Sequence, residues 1–142
     1  MERKFVHALI ALGFICLLQT TPSEASNRHA RKLFETIRSI QFDFTKRPVY
    51  LHRAKYGLQT QLRNPLVGKV QNLPDSAELS SACLQQMVKK VYDLEKTFYA
   101  GFSYYCEGHV QYSIECLEAA EPAYLNGLVA LEGETDKCLV TK

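Results

Sequence analysis

Residues 76–106 read SAELSSACLQQMVKKVYDLEKTFYAGFSYYC. Leu79, Cys83, Met87, Val91, Leu94, Phe98, Phe102 and Tyr105 recur at steps that place them on one stripe of an α-helix. Lys89, Lys90, Asp93 and Lys96 take the other side. Upstream, Asp75 with Glu78 three residues on has the form of a capping box, which offers acceptors to the unpaired N–H groups of a helix start. The pattern predicts one long amphipathic helix over about 76–106, with Gly101 as its weak point. It sets the fold class: mainly α, a small disulfide-stabilised helical domain with a second, antiparallel helix and an irregular basic N-terminal arm.

Downstream, Glu107-Gly108-His109 reads as a turn, Gly108 suiting a helix C-terminal cap. Val110, Ile114 and Leu117 stripe the second helix, which is expected to stop before Pro122 because the residue preceding proline is pushed out of the α region. Asn126-Gly127 reads as a turn, 128–131 as a short apolar run laid over the helix pair, and Gly133 as part of a loop leading to Cys138.

The N-terminus sets the compartment. Arg3 and Lys4, an apolar run over 5–18 and Ser23-Glu24-Ala25 form the three parts of a secretory leader, with cleavage expected after Ala25. The apolar run is shorter than the ~20 residues a bilayer span needs. The expected product is a soluble, secreted, extracellular chain with no membrane span after cleavage. Its divisions are 1–25, the leader; 26–74, a partly ordered basic arm with a short helix; and 75–142, the disulfide-linked helical domain.

Of the five cysteines, Cys16 falls in the leader; Cys83, Cys106, Cys116 and Cys138 remain. An even set in an oxidising compartment reads as two disulfides. Zinc is the competing reading, but no pair has the short spacing of a metal knuckle. At ~1.5 Å rise per residue, Cys83 and Cys106 would lie roughly 35 Å apart on an unbroken helix. A disulfide needs Cα atoms within about 7 Å. Cys116, about two turns past the corner, cannot reach Cys83 either. Elimination leaves Cys83–Cys138 and Cys106–Cys116.

Charge is distributed unevenly. Residues 26–63 carry nine Lys/Arg and two acids, whereas 64–142 carry six Lys/Arg and eleven acids. In the basic half, Leu33, Phe34, Ile37, Ile40 and Phe44 support a short amphipathic helix. Pro48, Gly57, Pro65, Gly68 and Pro74 punctuate residues 45–76, which read as an extended linker. Lys46-Arg47 is a dibasic pair that a secretory convertase could cut. The simpler reading is a solubilising arm that packs on the acidic half, and secretion argues against a nucleic-acid partner.

No nucleophile elbow, H-E-x-x-H or phosphate-cradling glycine loop is present. His29 and His52 lie in the basic region, His109 at a turn, and Glu115, Glu118 and Glu121 on one side of a helix, read as a solvated face. The chain is therefore read as non-enzymatic, with no catalytic residue, metal or cofactor. The richest local feature is aromatic: Phe98, Phe102, Tyr105, Tyr112 and Tyr124, with Tyr99 and Tyr104, gather around one corner. Core packing is one account of them. A surface for a partner or an apolar ligand is the other.

Leu79-Ser80-Ser81-Ala82-Cys83-Leu84-Gln85-Gln86-Met87, then Leu125-Asn126-Gly127-Leu128-Val129 and Gly133-Glu134-Thr135-Asp136-Lys137-Cys138-Leu139, resemble the N-terminal extracellular domain of nose resistant to fluoxetine proteins. The match covers about 79–139. That family's domain runs on past this Cys-Leu with further cysteines and is followed by a multi-pass acyltransferase-like region, which this sequence lacks. The resemblance implies an extracellular module without the transferase chemistry, and no catalytic residue carries over. The resulting expectation is a secreted, non-enzymatic interaction module whose partner is an unknown protein or an apolar small molecule. The alternative is a secreted carrier of lipid or another apolar ligand.

Overall fold

The structure, a computed structural model, describes residues 28–107 and 114–141. The residues read as a secretory leader and the corner carrying Gly108, His109 and Tyr112 lie outside the described residues. Helix α1 spans Arg28–Arg38, α2 Pro48–Gly57, α3 Asn64–Val70, α4 Ser81–Cys106 and α5 Ile114–Cys138. A π-helical turn, Leu58–Arg63, joins α2 to α3 without a break.

The long helix forms as its stripe predicts, burying Cys83, Leu84, Met87, Val91, Phe98 and Phe102. Two details differ. Its N-cap is Ser80, whose side-chain oxygen accepts from the Cys83 backbone N–H at 3.2 Å, so the Asp75–Glu78 box does not start it. On its last turn Cys106 is buried and Tyr105 is half-exposed.

Helix α5 packs antiparallel along α4, and both disulfides have the pairing that helix length required. Cys83–Cys138 holds one end of the pair with Cα atoms 5.7 Å apart, and Cys106–Cys116 the other with 5.3 Å. The expected stop before Pro122 does not occur: α5 continues through Pro122, Asn126-Gly127 and Gly133 to Cys138. Proline removes one helical hydrogen bond, but the apolar face formed by Leu117, Tyr124, Leu128 and Leu131 stays buried along the whole length. Burial of that face outweighs the local cost. Gly127 serves close approach and not a turn, because a Cβ there would collide with the Leu94 Cδ2 atom on α4. Gly57 does the same for α2, where a Cβ would come within 2.8 Å of Leu125.

The stretch read as an extended linker is the largest departure, since Pro48–Gly57, Leu58–Arg63 and Asn64–Val70 are helical throughout. Pro48 stands at the first helical position, where its missing N–H costs nothing. Pro65 follows the π turn, in which the Asn64 N–H bonds the Gln59 carbonyl five residues back. That wider turn accommodates a proline in a continuous helix. Tyr50, Leu51, Ala54, Leu58, Leu62, Leu66 and Val70 are buried in the same hydrophobic cluster as α1, α4 and α5.

The C-terminal tail is held by more than a disulfide. The Ser80 N–H donates to the Leu139 carbonyl at 2.8 Å and the Thr141 N–H to the Glu78 carbonyl at 3.1 Å, an isolated antiparallel bridge. Arg28 and Lys32 of α1 donate to backbone carbonyls of Asp75 and Leu79, so α1 clasps the same segment.

Candidate functional site

The aromatic corner is interior. Phe98, Phe102 and Tyr124 are buried, Tyr105 is 48% exposed, and Tyr112 lies outside the described residues. Tyr50, on the stretch read as a linker, completes the cluster: its ring centroid is 4.8 Å from Phe98, 5.1 Å from Tyr99 and 5.1 Å from Phe102. Phe98 stacks on Tyr124 at 4.6 Å, and the Tyr124 hydroxyl donates to the Ala54 carbonyl at 2.6 Å. These side chains join α2, α4 and α5, and Phe98, Phe102 and Tyr124 pack in the core among them.

A buried polar network runs beneath the cluster. The Lys46 ammonium lies 2.7 Å from the Glu95 carboxylate and 4.1 Å from the Tyr99 ring centroid. The Tyr50 hydroxyl donates to the same Glu95 Oε1 at 2.7 Å. Burial, reinforced by the bond to Glu95, raises the Tyr50 pKa far above the ordinary phenol value, so the hydroxyl remains a donor. Burial also raises Tyr124. Tyr50→Phe removes a donor to a charged acceptor, worth about 2 kcal/mol. Urea unfolding is expected to register that loss, with the slope unchanged.

Lys46, half of the dibasic pair, is thus partly buried against Glu95. A further ion pair ties the basic half to the acidic one, Arg53 to Glu121 at 3.5 Å, and on α3 Lys69 meets Glu132 and Asp136 of α5 at 2.5 Å and 3.1 Å. Glu121 therefore belongs to this interface and not to a fully solvated face. His29 sits buried with Nε2 3.0 Å from the Pro74 carbonyl, a structural contact. Among the described residues no His, Cys, Asp and Glu group could hold a metal ion, and no helix is long and apolar enough to cross a membrane.

An open surface feature lies elsewhere, between α1 and the π turn. It is a groove of about 660 Å³ with Ile37, Ile40, Phe42 and Leu58 in its floor and Phe34 and Phe44 at its rim. Arg31, Arg38, Lys55 and Arg63 surround it, with Glu35 the one acid in its lining. The Arg63 guanidinium stands 5.2 Å from the Phe34 ring centroid. Phe44 is 79% exposed, and a turn sets its position: Asp43 Oδ1 accepts from the Thr45 N–H at 2.9 Å and from its hydroxyl at 2.7 Å. Those bonds hold the Asp43 carboxyl below its ordinary pKa. The sequence grouped Phe34, Ile37, Ile40 and Phe44 on one helical stripe, but α1 ends at Arg38, so Ile40 and Phe44 follow the helix; that the groove's other wall is helical was not visible.

Residues 23–139 match the family of the aegyptin C-terminal domain. A gSG7 salivary protein of Anopheles stephensi is 61% identical over 142 residues, covering all of both chains. A solved mosquito complement inhibitor from Anopheles freeborni is 54% identical with a TM-score of 0.75, the match covering 82% of this chain and 98% of that one. An anophensin structure from Anopheles stephensi is 57% identical with a TM-score of 0.62, covering 82% and 99%. The chain belongs to the aegyptin C-terminal domain family, and like its salivary relatives it is secreted. These matches overturn the resemblance to nose resistant to fluoxetine proteins and, with it, the reading of the chain as an extracellular domain of that kind. The quoted anchors were short Ser-Cys and Gly-Leu groupings that many helical disulfide domains need for caps and close packing.

Proposed function

We propose that this chain, as a member of that family, is a secreted complement inhibitor that acts by binding a protein component of the cascade and not by catalysis. The observation that carries the reading is its 54% identity, over 98% of that chain, to the solved complement inhibitor from Anopheles freeborni. The chemistry of the described residues is consistent with binding. Lys46, Glu95 and Tyr50 bond to one another. The exposed groove presents arginine and phenylalanine, the residue types that dominate protein interfaces.

The test is lysis of antibody-coated and of uncoated rabbit erythrocytes by human serum pre-mixed with the secreted chain. Lysis in at least one format is expected to fall as the chain is added. Full lysis in both formats at a large molar excess over every complement component would sink the reading. Inhibition that persists after dilution and washing, with a complement protein cleaved into new fragments, would replace binding by proteolysis.

A further inference from the structure

We propose that the groove between α1 and the π turn is the surface on which this chain docks its protein partner, receiving an acidic segment that carries an apolar side chain. The inference rests on the reading that the partner is a protein, and it adds which face is used and what chemistry that face accepts.

Charge carries the argument first. Elsewhere the cations of the basic half are satisfied internally: Lys46 and Arg53 meet carboxylates, and Arg28 and Lys32 meet backbone carbonyls; Lys69 on α3 likewise meets Glu132 and Asp136. Among the described residues Arg31, Arg38 and Lys55 form no ion pair, and Arg63 meets the neutral Asn64 side chain and the Phe34 ring. The acidic half neutralises one face of the α1–α3 layer and leaves this one positive. Such a concentration of charge over an apolar floor steers and orients an anionic partner.

Shape and hydrophobicity set the second requirement. Phe44 stands 79% exposed on a turn that Asp43 and Thr45 lock, and Phe34 is 42% exposed beside Arg63. Exposed phenylalanine and arginine are both enriched at protein interfaces. A neutral apolar occupant would desolvate four cations without pairing them, which is costly. A purely acidic occupant would leave both rings wet. An acidic segment with one apolar side chain satisfies both halves of the groove. The π turn contributes Gln59 and Arg63 to the wall, so the same wide turn that admits Pro65 also shapes the site.

Two measurements decide it. In the lysis assay, Arg38→Glu/Lys55→Glu and, separately, Phe44→Ser are compared with Lys89→Glu/Lys137→Glu, an equal charge change on exposed positions outside the groove. The groove variants are expected to lose at least tenfold in inhibitory potency with helical circular dichroism unchanged, and the control to keep full potency. Equal potency in all variants would overturn the groove while leaving complement inhibition standing. The second measurement is independent of complement. The isotope-labelled chain is titrated at low salt with a synthetic acidic heptapeptide bearing a central phenylalanine, and with the same peptide bearing serine there. Amide shifts confined to residues around Arg38, Phe44, Lys55 and Arg63, larger with phenylalanine, are expected. Shifts that are absent, scattered or indifferent to the phenylalanine would overturn the groove. Should the wild-type chain fail to inhibit lysis, the complement reading falls and the titration alone judges the groove.

Discussion

Phe98→Ala is expected to destabilise the chain by about 4 kcal/mol, the range for truncating a fully buried phenylalanine. For a chain of this size that corresponds to a melting temperature lower by roughly 15 °C. Phe98 is 3% exposed and makes the central ring contacts of the cluster, to Tyr50 at 4.8 Å and Tyr124 at 4.6 Å. Alanine leaves a cavity between three helices whose positions are set by other contacts, so the site cannot collapse to fill it. Tyr105→Ala, on a half-exposed ring of the same sequence run, is expected to change stability by less than about 0.5 kcal/mol. Thermal unfolding of the two variants separates the accounts of the aromatic corner. Similar small effects from both would mean that the corner is a surface and that Phe98 is not a core anchor.

The second large effect concerns the C-terminal cysteine. Replacing both Cys83 and Cys138 by alanine removes a link spanning 55 residues, for which the chain-entropy treatment gives about 4 kcal/mol. The 10-residue span of Cys106–Cys116 gives about 3 kcal/mol. Guanidinium unfolding should therefore rank the Cys83/Cys138 double variant as the less stable. It should also show a local signature. With the disulfide gone, the Ser80–Leu139 and Glu78–Thr141 hydrogen bonds and the packing of Leu139 hold the tail. Amide exchange at Ser80 and Thr141 is expected to quicken more than at Val91 in the middle of α4. Unchanged exchange at both positions would mean that packing of the buried Leu139 suffices to anchor the tail.

Much of this architecture was legible because two simple physical rules act locally. Side-chain periodicity at 3.6 residues marked α4, and helix length then forbade every disulfide pairing but one. Neither step needed to know what the helix packs against. The misread secondary-structure boundaries after Lys46 share one cause: proline and glycine were taken at their local value. Pro122 and Gly127 sit inside α5, and Pro48, Gly57, Pro65 and Gly68 inside the helical run from Pro48 to Val70. Gly127 admits Leu94, and Gly57 admits Leu125 and Tyr124. A glycine demanded by close helix approach looks, in the chain alone, the same as one demanded by a turn. The family assignment failed for a similar reason, since cap and packing motifs record helices and not ancestry.

By itself, then, the sequence determined the secreted compartment, the mainly helical class, the length of the central helix and which cysteines could meet, because each depends on spacing along one dimension. Only the tertiary structure decided that the basic stretch is helical and shares the core, that Tyr50, Lys46 and Glu95 form one buried network, and that Phe34 and Phe44 lie in the open while Phe98 does not. Those outcomes depend on which side chains converge from distant positions, and burial energy summed over such contacts is large enough to override the local preference of a single proline or glycine.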